Sequence, residues 1–162
     1  METSTNNAVA SVLTGIVQEC GYLYGRDIEA STDDICTCTQ EGKSRSVLAM
    51  TAEVIGFNHL VASLLRGESK GFPTPEERDA FAASISSKDI AKAKLDASVA
   101  DVCSAIEGVS MDDWMTKITA PWGMEVTKAH LCSWSALHMS YHDGQVNLVQ
   151  ILNGDHEVHW MS

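Results

Sequence analysis

The sequence has few prolines and few cations, and each shortage excludes a class of structure or partner. Only three of the 162 residues are proline, at positions 73, 75 and 121, so the stretches around them can form long helices. The 11 lysines and arginines are outnumbered by 22 acidic residues, which gives a net charge of −11. This charge argues against binding to a nucleic-acid backbone or to an anionic membrane surface, because both require a high density of cations.

Segments that would direct the chain out of the cytoplasm are also lacking. No apolar run approaches the roughly 18 residues of a membrane span, and no basic residue precedes Arg26, as it would in a signal peptide. The five cysteines are odd in number and scattered, and Cys36 and Cys38 lack the spacing of a redox pair. We therefore expect a cytoplasmic protein with reduced thiols and a single domain, residues 1–162.

Most of the chain shows the hydrophobic periodicity of amphipathic helices. Apolar residues recur at steps of three and four over about 8–28, 44–67, 87–107 and 125–153, which predicts four long amphipathic helices. Thr74-Pro75-Glu76-Glu77 is typical of a helix start and predicts a short helix over 75–84. Strand signals are poor. The expected fold is an all-α four-helix bundle with its core at about 8–154, a short extra helix in the crossover between helices 2 and 3, and a short, solvated C-terminal tail.

Two histidines on the predicted last helix give the strongest chemical signal. His138 and His142 are four residues apart, so both imidazoles lie on one face and can reach one metal ion. On the predicted second long helix, His59 shares a line with apolar residues, which predicts that it faces inward or toward a cleft. Histidine pairs also arise by chance, and a carbonyl or a tyrosine can satisfy a buried imidazole. Metal binding and simple packing are both compatible with these residues.

Three neighbours of the histidines have a functional and a structural interpretation. Trp134 lies four residues before His138 and is either a pocket wall or a core aromatic residue. Gln145 lies three residues after His142 and either orients an imidazole or ligand, or joins two helices. Gly56 either leaves room for a substrate or allows close packing of helices.

The segment from His138 to Asn147, with the order His-x-x-x-His-Asp-Gly-Gln, resembles the last-helix motif of the DinB-like superfamily. This superfamily includes the YfiT-type proteins and related thiol-dependent transferases and isomerases. The segment from Glu53 to Leu60 is similar to the second-helix segment that ends in a third ligand, and Pro121-Trp122-Gly123 and Gly154-Asp155 are similar as well. The resemblance covers about residues 8–155 and implies a four-helix bundle of the DinB/YfiT-like type.

The resemblance implies that His59, His138 and His142 hold one divalent metal, Zn²⁺ or Ni²⁺, and leave a position open for water or substrate. It implies a homodimer and a small-molecule substrate. Two activities follow: transfer of a low-molecular-weight thiol to an electrophile, or metal-dependent hydrolysis. The alternative is a non-catalytic bundle that binds metal or a small ligand, or a stress-response protein with a vestigial site. No general base is assigned, because Glu53 lies six residues before His59 and off its face.

One residue departs from the superfamily pattern. Asp143 stands where an arginine commonly precedes Gly-Gln, directly after a predicted ligand. An arginine there could hold an anionic substrate, and the aspartate reverses the charge, which would remove any thiol chemistry that used the arginine. The alternative is that residue 143 faces outward and varies freely.

Overall fold

Four long helices form a bundle in the computed structural model, which describes residues 7–69 and 71–161. The helices in chain order are α1 (Ala8–Ala30), α2 (Asp33–Thr37), α3 (Val47–Arg66), α4 (Pro75–Ala83), α5 (Lys88–Glu107) and α6 (Lys128–Leu152). Both α1 and α3 pack against α5 and α6 around a shared core. The predicted all-α four-helix bundle is confirmed, and α4 is the predicted short helix in the crossover.

Side chains that accept hydrogen bonds from backbone N–H groups define the starts of these helices. The side chains of Ser46, Ser87 and Thr127 each accept a hydrogen bond from the backbone N–H of the third residue of α3, α5 and α6 respectively. In α4, Thr74 and Glu77 form a reciprocal capping box. These local signals explain why the helix boundaries could be predicted to within a few residues.

The connection before α6 differs from the prediction. The last helix begins at Lys128, because residues 125–127 form strand β2 (Glu125–Thr127), which pairs antiparallel with β1 (Lys117–Thr119). Each strand has only three residues, so an alternating pattern cannot be recognised in the sequence. The segment between the first two predicted long helices, for which no element was predicted, contains α2 and a 3-10 turn at Gln40–Gly42. The hairpin places Trp122 beside α3 and α6.

Helix α3 is long and apolar enough to cross a membrane, with a mean hydropathy of 1.5 over its most apolar window. However, 56% of that window is buried inside the bundle, as in a core helix of a water-soluble fold. The buried face of α3 supplies much of the core, while Glu53 and His59 lie on its exposed flanks.

Two acidic side chains are buried where α1 meets α6. Asp27 is fully buried and Asp143 is 4% exposed. Asn147 and Trp160 both donate hydrogen bonds to Asp27 Oδ2, at 2.6 and 2.8 Å. Burial, together with the hydrogen bond and the charge of Asp27, raises the pKa of the Asp143 carboxyl well above its ordinary range. The suggestion that residue 143 faces outward is therefore wrong.

The C-terminal segment folds back onto α1. Arg26 Nε donates to the carbonyl of His159 at 3.4 Å, and Trp160 reaches Asp27 as described above. His159 Nε2 also lies 3.0 Å from Asp155 Oδ2. These contacts attach the segment to the bundle, whereas a solvated tail was expected.

Candidate metal centre

His138 and His142 meet Glu53 between α6 and α3. The Nε2 atoms of the two histidines lie 3.1 Å apart. Glu53 Oε1 lies 3.5 Å from Nε2 of His138 and 3.6 Å from Nε2 of His142. Within residues 7–69 and 71–161, this is the one group of three potential metal-ligating side chains whose ligand atoms all lie within 4.8 Å of one another.

The spacing of these three atoms fits a tetrahedral metal. Ligands held at about 2.1 Å in tetrahedral geometry are separated from one another by about 3.4 Å. The observed separations of 3.1, 3.5 and 3.6 Å fall on both sides of that value. Two imidazoles and one carboxylate also form a donor set that catalytic zinc sites use, with the fourth position open. The three residues therefore fit a divalent metal.

Gln145 fixes the orientation of His142. The Nδ1–H group of His142 donates to Gln145 Oε1 at 2.7 Å, and Gln145 Nε2 in turn donates to the hydroxyl of Tyr141 at 3.2 Å. A proton on Nδ1 leaves the lone pair on Nε2, which is the atom that faces His138 and Glu53. Gln145 thus orients an imidazole, one of the roles expected from the sequence.

The surroundings keep both imidazoles neutral. Burial, together with the nearby His142 and Arg45, lowers the pKa of His138 to about 4. Burial also lowers the pKa of His142, and Arg45 acts in the same direction, although the hydrogen bond to Gln145 opposes them. Neutral imidazoles have the free lone pairs that a metal requires.

Arg45 forms an ion pair with Glu53 across the mouth of the site. It precedes α3, and both side chains are about half-exposed. The guanidinium therefore neutralises the one charged ligand of the cluster and competes with any metal for the same carboxylate. Sequence reasoning did not identify Arg45.

The structure does not bring His59 to the other two histidines. Its side chain is 49% exposed, and its Nδ1 lies 2.8 Å from Asp101 Oδ2 on α5, where Arg66 also binds Asp101. Six residues separate His59 from Glu53, which corresponds to about 120° around a helix. Of the two orientations expected for His59, inward or toward a cleft, the inward one is not observed. His59 as the third metal ligand stays a prediction, which these contacts do not support.

Aromatic side chains form a wall beside His138. Phe57 packs against its ring with centroids 4.6 Å apart, and Phe57 in turn stacks on Trp122 at 6.3 Å. Trp134 joins this wall through Trp122, at 5.0 Å. The structure thus places Trp134 near the site as part of an aromatic cluster. A Cβ added at Gly56, one turn after Glu53, would meet no described atom within 4 Å, so close helix packing does not explain this glycine.

The cysteines lie outside this centre and are all free thiols. Burial raises the pKa of Cys36 and Cys103 to about 11 and that of Cys132 to about 12. These three therefore remain protonated at neutral pH, consistent with small core residues.

Several solved structures share this fold. A crystal structure of the mycothiol-dependent maleylpyruvate isomerase is similar with a TM-score of 0.70 and 15% identity, over 85% of this chain and 60% of that chain. A mutant of that isomerase, with a histidine replaced by alanine, is similar with a TM-score of 0.65 and 19% identity, again over 85% of this chain and 60% of that chain. The colibactin self-resistance protein ClbS, in complex with a dsDNA, is similar with a TM-score of 0.68 and 19% identity, over 88% of this chain and 95% of that chain.

These similarities show the fold alone, a helical bundle that the chain shares with the isomerase and with ClbS. No family model matches the sequence, and no curated protein matches it. The chain spans 60% of the isomerase's length. The dsDNA belongs to the structure of ClbS, and the absence of a nucleic-acid partner for this chain stays a prediction.

Proposed function

We propose that this protein is a metal-dependent enzyme in which Glu53, His138 and His142 hold one Zn²⁺ ion. The observation that carries the proposal is the triangle of ligand atoms, with sides of 3.1, 3.5 and 3.6 Å, close to the tetrahedral separation. The lowered pKa values of both histidines support the proposal, because at neutral pH neither imidazole has to lose a proton before it can bind a metal.

A bound Zn²⁺ ion lowers the pKa of a coordinated water or thiol and so supplies a nucleophile at neutral pH. The chain's own residues prepare the place where this chemistry happens. Gln145 holds the His142 ring with Nε2 toward the cluster. Phe57 and Trp122 exclude water from one side of His138, which strengthens electrostatic interactions there.

The reaction that we propose is transfer of a low-molecular-weight thiol to a small electrophile. The thiol releases its proton to solvent, its sulfur forms a bond to carbon, and the leaving group departs with the electron pair of the bond that breaks at that carbon. The fold shared with a thiol-dependent isomerase favours thiol chemistry over hydrolysis. The candidate substrates are small, since the centre lies at the side of a single bundle.

The activity is tested with metal-free and Zn²⁺-loaded protein in the presence of glutathione or mycothiol and an arylating electrophile such as 1-chloro-2,4-dinitrobenzene. We expect thiol to disappear faster with the loaded protein, and the rate to fall to background in His142→Ala and Glu53→Gln. His59→Ala is the matched control and should keep the activity. If the zinc-loaded protein cleaves an ester and does not consume thiol, the proposed activity is hydrolysis and not thiol transfer. Zinc bound without either reaction would contradict an enzyme and support the non-catalytic alternative.

A further inference from the structure

A groove of about 420 Å³ adjoins the proposed metal centre. It runs between the segment before α3 and the C-terminal half of α6. Two of its lining residues, Arg45 and Gln145, also contact the cluster, since Arg45 pairs with Glu53 and Gln145 binds His142. The groove and the centre are therefore parts of one continuous surface.

The lining of the groove combines positive charge with apolar surface. Lys43 and Arg45 supply the positive charge, in a chain whose net charge is −11. Met50, Leu148 and Leu152 supply apolar surface. Leu148 and Leu152 are 55% and 58% exposed and follow each other by about one turn on α6. A ligand lying in the groove would cover both.

We infer that the groove binds an organic carboxylate with an aliphatic chain, and that this is the substrate class of the proposed enzyme; the inference rests on the proposed function. An arginine matches a carboxylate because its planar N–H groups can donate two parallel hydrogen bonds. Lys43 also lines the groove and is its second cationic residue. The volume lies within the range typical of small-molecule sites.

The position of Arg45 orients such a ligand. Because Arg45 contacts Glu53, the carboxylate end lies beside the cluster. Leu148 and Leu152 lie one and two turns beyond Gln145 on α6, so the aliphatic chain extends away from the centre. The electrophilic carbon that meets the nucleophile is then close to the carboxylate, and the chain beyond it supplies binding energy only.

Octanoate is the probe for this site, measured by isothermal titration against the zinc-loaded full chain, with octylammonium as the matched cation. We expect octanoate to bind at least tenfold more tightly than octylammonium. Lys43→Met and Leu148→Asp should each weaken octanoate about tenfold. Lys117→Met, on strand β1, and Ile151→Asp, an exposed α6 residue outside the groove, are the controls and should leave the affinity unchanged.

Zinc content is measured in every sample, which separates this inference from the proposed function. If the protein binds zinc but shows no selective octanoate binding, or if Leu148→Asp binds octanoate as tightly as the wild type, the groove is not a carboxylate site. The proposed metal centre is unaffected by either result. Selective octanoate binding with these variant effects, in protein that takes up no zinc, supports the groove as a carboxylate site and overturns the metal-dependent reaction.

Discussion

Arg45 sets the electrostatic balance of the centre. Its guanidinium pairs with the only charged ligand and also lowers the pKa of both histidines. A divalent metal must therefore displace the guanidinium from Glu53 and then bind close to a remaining positive charge. The ion pair between Arg45 and Glu53 compensates the charge of the carboxylate, which otherwise has only two neutral imidazoles beside it.

Replacing Arg45 should strengthen zinc binding. In Arg45→Gln, Glu53 loses its competitor and the repulsion between guanidinium and metal disappears, so we expect the zinc dissociation constant to fall about tenfold. Competition with a chromophoric chelator measures the constant. Arg66→Gln is the matched control, since Arg66 pairs with Asp101 on the opposite flank of α3. Weaker zinc binding in Arg45→Gln would show that Arg45 positions Glu53 instead of competing for it.

Helix α1 approaches α5 closely at Gly21. A Cβ on Gly21 would lie 2.6 Å from Cγ2 of Val99, and the β-branched side chain of Val99 has little freedom to move away. Gly15, on the same helix, has open space around it among the described residues. The two glycines therefore separate the effect of helix propensity from that of packing.

Alanine should have opposite effects at these two positions. Gly21→Ala forces α1 and α5 apart, and we expect a loss of about 1–3 kcal/mol in the free energy of unfolding. Gly15→Ala should gain about 0.5–1 kcal/mol, because alanine favours the helix. Urea unfolding followed by circular dichroism measures both. Equal changes in the two variants would contradict the close contact.

Local signals explain why most elements could be predicted from the sequence. Caps such as Ser87 and the Thr74 box, together with apolar steps of three and four, fix where a helix begins and which face it buries. The hairpin of β1 and β2 carries no such signal in three-residue strands. α2 was also missed, because five residues are too few to show a period.

The candidate site divides in the same way between local and long-range information. His138 and His142 share one helix, so their separation is determined by the helix itself. The third ligand depends on how α3 is rotated against α6, which the sequence does not encode locally. Both Glu53 and His59 lie on flanks of α3, and the superfamily resemblance favoured the histidine. The donor chemistry of catalytic zinc, which includes two histidines with a glutamate, would have been the signal for Glu53.

The stability of the whole bundle should depend on pH through its buried acids. Asp143 has a pKa of about 8 in the folded protein, against an ordinary value near 4 in the unfolded chain. Between these values the folded state binds more protons at this group, so the stability that protonated Asp143 contributes is fully present below pH 4 and is lost as the pH rises through 8. The fully buried Asp27 is the neighbour that makes a second charge costly.

Asp143→Asn should remove this dependence. An amide can still donate a hydrogen bond to Asp27 but cannot ionise, so at pH 9 and in EDTA we expect the variant to be about 1–3 kcal/mol more stable than the wild type. The slope of stability against pH between 5 and 8 should also become smaller. Asp96→Asn, at an exposed position on α5, is the control. Parallel pH profiles for Asp143→Asn and the wild type would show that Asp143 is not protonated in the folded state.

The assembly and location of the molecule stay predictions. The sequence resemblance implies a homodimer, and native mass spectrometry of the untagged chain measures its oligomeric state. A mass twice that of the chain would confirm the dimer, and the mass of one chain at micromolar concentration would contradict it.

The central claim is that Glu53, and not His59, completes the metal centre with His138 and His142. Elemental analysis of protein purified without a metal-affinity tag tests it directly, in the wild type and in Glu53→Ala, His142→Ala and His59→Ala. We predict about one zinc per chain in the wild type and in His59→Ala, and a loss of zinc in the other two variants. Zinc that survives Glu53→Ala but is lost in His59→Ala, or a wild type that takes up no zinc on titration, would contradict the account.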